Sequence, residues 1–220
     1  MTRVKICGVM SAETAAECAR IGAHAIGINF VSSSPRRVDE HTAREIVRAV
    51  AGRAIVVAVV ADLTVHEMRE MKETIGVDCL QLHGDETPEV VASMLPHAYK
   101  AVRVRGSSDI ARADEMPGAY VLVDAKVDGA LGGTGTVCDW ALVVALARRR
   151  RLTLAGGLTP DNVGAAIDAV HPWCVDTASG VEDGQHRKDL DKVRAFIDAV
   201  READWRTQAA TAASGPSARP

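Results

Sequence analysis

The chain has 220 residues, 47% of them hydrophobic and 25% charged, with a formal net charge of −3. That length fits one large domain or two small ones, and that charge leaves no electrostatic footprint for nucleic acid or an anionic membrane surface. No apolar run approaches the roughly 20 residues that span a bilayer, and the opening MTRVKICGVM lacks the apolar core of a secretory signal, so the expected location is the cytoplasm.

In chain order, short runs rich in Val, Ile and Leu read as strands over 4–7, 25–30, 55–60, 79–82, 99–104, 120–123, 152–155 and 174–177. Longer periodic stretches read as helices over 12–21, 40–51, 65–75, 88–95, 108–115, 139–150, 160–170 and 190–202. Ser11 and Thr159 suit N-caps, Pro160 suits a first helical position, and Gly22, Gly52 and Gly76 follow helix ends. Eight strand–helix units are the rhythm of a parallel sheet, and they predict an α/β fold, a single-domain (β/α)8 TIM barrel over 1–203. The competitor is an open doubly wound sheet. It would be favoured by G-x-G-x-x-G after the first strand, where this chain has Cys7-Gly8-Val9-Met10-Ser11-Ala12. Residues 204–220 are small and polar without apolar period, and read as a disordered tail.

A barrel places chemistry at the C-terminal ends of its strands. The candidates there are Cys7, residues 29–37, Asp62, His83, Arg103 and Arg105, Asp124, Gly156 and Gly157, and residues 176–180. Gly156-Gly157 before a helix start and Ser179-Gly180 after the eighth strand suit an anion held by backbone N–H groups. The loop 132–135, which contains Gly133 and Gly135, adds a third such turn. Residues 32–38, Ser-Ser-Ser-Pro-Arg-Arg-Val, put the Arg36 guanidinium where it can grip a carboxylate or phosphate from two sides.

Cys7 and Asp124 end strands far apart in sequence, a separation that places them across the barrel mouth as base and acid on one small substrate. Lys5 is close enough in sequence to favour the thiolate. A cysteine nucleophile paired with His83 is the rival chemistry, but no third orienting group is evident, and His83 reads better as a polar lining residue. The five cysteines lack Cys-x-x-Cys spacing and the seven histidines lack ligand spacing, so neither a disulfide framework nor a metal is expected.

As an ordered set, these residues resemble one family. The set is Lys5-Ile6-Cys7-Gly8, Ser34-Pro35-Arg36, Leu80-Gln81-Leu82-His83-Gly84, the 124–135 segment, Gly156-Gly157-Leu158 with Asp161-Asn162-Val163, and Ser179-Gly180-Val181-Glu182. Together they are similar to the phosphoribosylanthranilate isomerases of tryptophan biosynthesis. The resemblance implies a (β/α)8 barrel that needs no cofactor or metal. The implied reaction is an Amadori rearrangement of N-(5-phosphoribosyl)anthranilate, an aldose–ketose isomerisation of a phosphorylated small molecule. It implies Asp124 as general acid, Cys7 as general base, and Arg36, Asp176 and His83 as substrate contacts. Gly133, Gly135, Gly156, Gly157, Ser179 and Gly180 would hold the phosphate.

Neither nucleic acid nor membrane is an expected partner, and a monomer is expected ahead of a homodimer. Arg37 stands where the family usually has an aromatic residue, and Ala178 where serine is more familiar. Two readings compete with the isomerase. One is an enzyme like indole-3-glycerol-phosphate synthase, disfavoured because the first strand comes almost at once. The other is a barrel that binds a sugar phosphate without turning it over.

Overall fold

A computed structural model describes residues 1–125 and 140–213, apart from the side chains of Trp140 and of residues 210–213. Strand and helix alternate from β1 (Arg3–Cys7) and α1 (Ala12–Ile21) through β2 (Ala25–Asn29), α2 (Glu40–Val50), β3 (Ile55–Val60), α3 (Val65–Ile75), β4 (Cys79–Leu82) and α4 (Pro88–Ser93). The second half continues with β5 (Ala98–Val104), α5 (Ser107–Glu115), β6 (Tyr120–Ala125), α6 (Trp140–Arg149), β7 (Arg151–Ala155), α7 (Val163–Val170), β8 (Cys174–Thr177) and α8 (Leu190–Ala213). The strands pair in chain order, all parallel, and β8 pairs back onto β1, so the sheet closes as the strand–helix rhythm predicts.

Local chemistry sets the helix ends. Ser11 and Asp39 accept hydrogen bonds from Thr14 and Thr42 N–H, and Thr64 with Glu67 forms a reciprocal capping box at α3. At the seventh unit the structure departs from expectation, because α7 begins at Val163 and not at Pro160. Asn162 causes the delay: its Oδ1 accepts from Thr159 N at 2.8 Å, so residues 159–162 form a turn and Thr159 is no N-cap.

The end of the chain is a second correction. α8 runs to Ala213, well past the predicted helix end, so residues 204–213 are helical and not a disordered tail. A clasp explains the continuation. Asp204 is buried and accepts from Thr2 N at 2.6 Å and Thr2 Oγ1 at 2.8 Å, which binds α8 to the start of β1. The rest of the predicted tail, residues 214–220, lies outside the described residues.

Alternation along each strand divides the barrel wall into two faces. Ile6, Ile26, Ile28, Val56, Leu80, Leu82, Val121, Val123, Leu152 and Leu154 belong to one apolar cluster with buried helix residues such as Ile46, Met68 and Phe196. The barrel interior is different. Lys5, Cys7, Gln81, Tyr99, Asp124, Thr153 and Asp176 fall on the alternate positions, beside a small apolar cluster of Ala101, Leu122 and Ala155. Helix packing therefore supplies the stable core, and the interior is left free for polar chemistry. Among the described residues no helix is long and apolar enough to cross a membrane.

Candidate active site

The C-terminal ends of the strands surround a cavity of about 340 Å³. Its wall brings together Cys7, His83, Asp124, Gly156, Gly157, Asp176, Ser179 and Gly180, all singled out in the sequence. Arg36 is not part of that wall, and Gly133 and Gly135 fall outside the described residues. Asn29, Gln81, Arg103 and Ala178 are also part of the lining.

Cys7 closes β1 and lies in register with Gly27 of β2. A Cβ at Gly27 would sit 2.8 Å from Cys7 Sγ and 3.1 Å from Lys5 Nζ, so a glycine here is what gives thiol and ammonium room side by side. Lys5, 2% exposed, donates to Asp176 Oδ2 at 2.7 Å. Burial works against the Lys5 charge, but the negative neighbours, Asp176 first among them with Cys7 and Tyr99, together outweigh it and hold the amine well above the ordinary lysine value. Burial likewise pushes the Cys7 thiol up, with Lys5 pulling the other way. The second Asp176 oxygen, Oδ1, is buried and has no hydrogen-bond partner among the described residues. Such an orphan acceptor costs stability unless a ligand donor reaches it.

Asp124 lies on β6 in register with Arg103 and Ala155, across the mouth from Cys7 and separated from it by β7 and β8. Gly156 has φ of +111°, and a Cβ there would come within 2.8 Å of Asp124 Oδ1 and 2.5 Å of Ala125 O. A side chain at position 156 would therefore both strain the turn and displace the carboxyl.

His83 Nδ1 is 3.2 Å from Gln81 Nε2, and Gln81 Oε1 accepts from Tyr99 OH at 2.9 Å. Burial holds the His83 ring below its ordinary value, so it is neutral at pH 7. No hydrogen bond joins His83 to Cys7 among the described residues, so the geometry does not provide a cysteine–histidine nucleophile pair.

The opposite wall is tied down backbone to side chain. Asn162 Nδ2 donates to Gly157 O at 3.0 Å, Thr177 Oγ1 donates to Leu158 O at 2.7 Å, and residues Ser179–Val181 form one 3-10 turn. The two glycine turns are held together at the ends of β7 and β8.

Sequence reasoning missed how Arg36 is held. Its Nε and Nη2 donate to the two oxygens of Glu182, each at 2.6 Å, and Glu182 also accepts from Lys188. Glu182 belongs to a motif visible in the chain, but its partner lies 146 positions away, which no local pattern reveals. Gln81 and Tyr99 were missed for the same reason.

A closed barrel with a thiol and a carboxyl facing one cavity, and glycine turns along its far wall, defines a (β/α)8 enzyme of the acid–base class. The family model for N-(5'-phosphoribosyl)anthranilate isomerase matches residues 4–199. The protein of that description from Pseudomonas aeruginosa (strain UCBPP-PA14) is 45% identical over 201 residues, covering 90% of this chain and 95% of its own length. Its Geobacter sp. (strain M21) counterpart is 39% identical over 197 residues, covering 90% and 97%. The crystal structure of the Thermotoga maritima phosphoribosyl anthranilate isomerase superposes with a TM-score of 0.83 at 34% identity, covering 92% of this chain and all of that one. A second isomerase structure, in complex with reduced 1-(o-carboxyphenylamino)-1-deoxyribulose 5-phosphate, gives 0.82 at 32% identity with coverage of 92% and 100%. The chain belongs to the N-(5'-phosphoribosyl)anthranilate isomerase family.

Proposed function

We propose that this chain converts N-(5'-phosphoribosyl)anthranilate into 1-(2-carboxyphenylamino)-1-deoxyribulose 5-phosphate, with Asp124 as the acid and Cys7 as the base. The observation that carries the assignment of roles is that both side chains face one cavity whose wall also includes the turns at Gly156, Gly157, Ser179 and Gly180. Asp124 gives its proton to the furanose ring oxygen as the bond from C1 to that oxygen breaks, and the anilino nitrogen lone pair forms the C1=N bond. Cys7 as thiolate then removes the proton from C2, and the electron pair moves between C2 and C1 to give a neutral enolamine. The enolamine gains a proton at C1 and loses one from the C2 hydroxyl, which yields the ketone with no net change of atoms or charge.

The other residues bind and orient. The backbone at Gly156, Gly157, Ser179 and Gly180, joined by Gly133 and Gly135, holds the phosphate, and remote binding energy is spent on aligning the sugar between acid and base. Asp176 Oδ1, which lacks a partner among the described residues, accepts the anilino N–H, and Arg36 meets the aryl carboxylate. Neutral His83 contacts the sugar. Ala178 lines the cavity where a serine would add a hydroxyl, so that point of the rim offers the ligand backbone alone.

Anthranilate-type fluorescence, followed while the protein meets substrate generated in the cuvette, tests the assignment. Cys7→Ala and Asp124→Asn are each expected to slow turnover by about 10²–10⁴-fold with the fold intact, the usual contribution of a positioned acid or base. Near wild-type turnover in either folded variant removes that residue from its role, and no turnover by folded wild type removes the activity.

A further inference from the structure

Glu182 takes no part in either proton transfer, yet it is among the most heavily engaged carboxylates in the molecule. Its side chain is 3% exposed and receives both Arg36 bonds, one on each oxygen, together with Lys188 on Oε1. Burial works against its charge, but the bonds from Arg36 and Lys188 outweigh that and hold the carboxyl below the usual range. The backbone around it is fixed too: Glu182 N donates to Ser179 O at 3.2 Å and Lys192 Nζ donates to Glu182 O at 2.8 Å. Lys188 Nζ reaches on to Ala178 O at 3.0 Å, inside the turn that leads to Ser179 and Gly180.

Arg36 approaches from the other flank of β1, which lies between β2 and β8. It sits on the loop after β2, its side chain passes so close over Gly8 that a Cβ there would collide with Cδ, and Gly8 directly follows Cys7. A free arginine on a loop samples many rotamers, and fixing it costs side-chain entropy. Glu182 removes that freedom in advance by taking the Nε edge of the guanidinium in a two-pronged grip. Among the described residues the Nη1 end makes no hydrogen bond, and it is the donor left for a ligand. The cluster of Arg36, Lys188 and Glu182 retains one net positive charge, which suits one carboxylate and would be lost if Glu182 were joined by a second acid.

We propose that Glu182 is a positioning residue that holds the Arg36 guanidinium on the loop after β2 in the orientation that receives the substrate's aryl carboxylate. The inference rests on the isomerase reading for the identity of that carboxylate, and it adds a residue that acts on binding through Arg36 and not on the proton transfers.

The test compares Glu182→Gln, Arg36→Gln and the double variant with wild type, in turnover and in equilibrium binding of two probes: the reduced product analogue and inorganic phosphate. Gln keeps one oxygen for Lys188 but cannot supply the charged two-pronged partner for Arg36. Glu182→Gln is expected to raise KM and the analogue Kd about tenfold or more, the size of one lost charge-assisted hydrogen bond. Its kcat should stay within about threefold of wild type, since the acid and base are untouched. Inorganic phosphate should bind as before, and the double variant should bind the analogue no more weakly than Arg36→Gln alone.

An unchanged analogue Kd, a loss of phosphate binding in step with the analogue, or penalties that add in the double variant would each overturn the proposal. If Glu182→Gln does not fold, Arg36→Lys serves instead: it keeps the charge but not the two-pronged grip, so wild-type analogue binding by Arg36→Lys overturns the proposal as well. A wild type that binds the analogue in this pattern without turning substrate over would sink the activity and leave the role of Glu182 standing.

Discussion

Lys5 and Lys100 are each 2% exposed and each lies on a barrel strand, but they sit on opposite faces of the sheet and are partnered differently. Lys100, on the face turned to the helices, donates to the carbonyls of Leu82 at 3.0 Å, Gly84 at 2.7 Å and Ala101 at 2.9 Å, with Glu86 Oε2 at 3.1 Å. Every proton of its ammonium is engaged. Lys5, in the barrel interior, has one carboxylate at 2.7 Å, and beyond it lie a thiol and an oxygen with no partner among the described residues. Burial dominates for Lys100 and draws its pKa below the ordinary value despite Glu86, whereas at Lys5 the negative neighbours prevail and lift it. A buried charge with all its valences filled holds backbone in place. One left partly unfilled is available to a neighbour whose charge changes during a reaction.

The largest difference should appear in stability. Lys100→Met leaves Glu86 buried opposite an apolar chain and frees three carbonyls around the β4 loop. A cost of about 3–5 kcal/mol is expected in urea or thermal unfolding, as for other broken buried pairs. Glu86 Oε1 also accepts from Asp62 N at 2.9 Å and Gly84 N at 3.2 Å, so the turn after His83 would loosen with it. Turnover per folded molecule should change little. A Lys100→Met protein as stable as wild type would erase the distinction drawn between the two lysines.

Lys5→Met is expected to show the reverse balance. Its orphaned partner Asp176 lines the mouth cavity, and burial already pushes its carboxyl above the ordinary value, so it can take up a proton once the cation is gone and the stability loss should be smaller than for Lys100→Met. The effect on kcat/KM should be about tenfold, a fraction of the ~10²–10⁴ that a general base supplies. Activity equal to wild type would mean that the ammonium serves only to balance Asp176.

Most of the barrel was legible because apolar period alone separates strand from helix. The strands at 55–60, 79–82 and 174–177 and the helices at 12–21 and 65–75 have the limits that the periodicity predicts. What was not legible depends on long-range partners. Nothing near Asp204 announces that Thr2 will reach it across 202 positions, so a polar, alanine-rich continuation of a helix resembled a tail. Asn162 displaced the start of α7 through a side-chain bond that competes with helix formation, where Thr159-Pro160 had the better local signature. In the site, strand ends located Cys7, Asp124, Asp176 and His83, because barrel geometry restricts where chemistry can sit. The same geometry says nothing of how a loop arginine is held, and Arg36 is gripped by Glu182 from 146 positions away.

The smallest and most diagnostic effect is on the protonation of Cys7. Four charged groups bear on it: Lys5, Asp176, Lys188 and Arg36. Burial raises the thiol above its ordinary value, so the free site at pH 7 holds mostly thiol and only a minor share of thiolate. A base must be deprotonated to act, so kcat/KM should climb with pH from neutrality toward the raised thiol pKa rather than level off below it. Removing the Lys5 cation takes away the principal charge favouring the thiolate, so in Lys5→Met the climb should move to higher pH. Iodoacetamide alkylation of Cys7, followed by peptide mass spectrometry against pH, reads the same ionisation without needing substrate. Cys18 and Cys79, pushed up to about 11, and Cys174, pushed up to about 12, serve as unreactive internal references. An alkylation profile that does not move in Lys5→Met, or moves to lower pH, would show that the ammonium and the thiol are adjacent without being coupled. Lys5 would then belong with Lys100 as a purely structural cation, and the contrast between the two faces of the sheet would rest on hydrogen-bond counting alone.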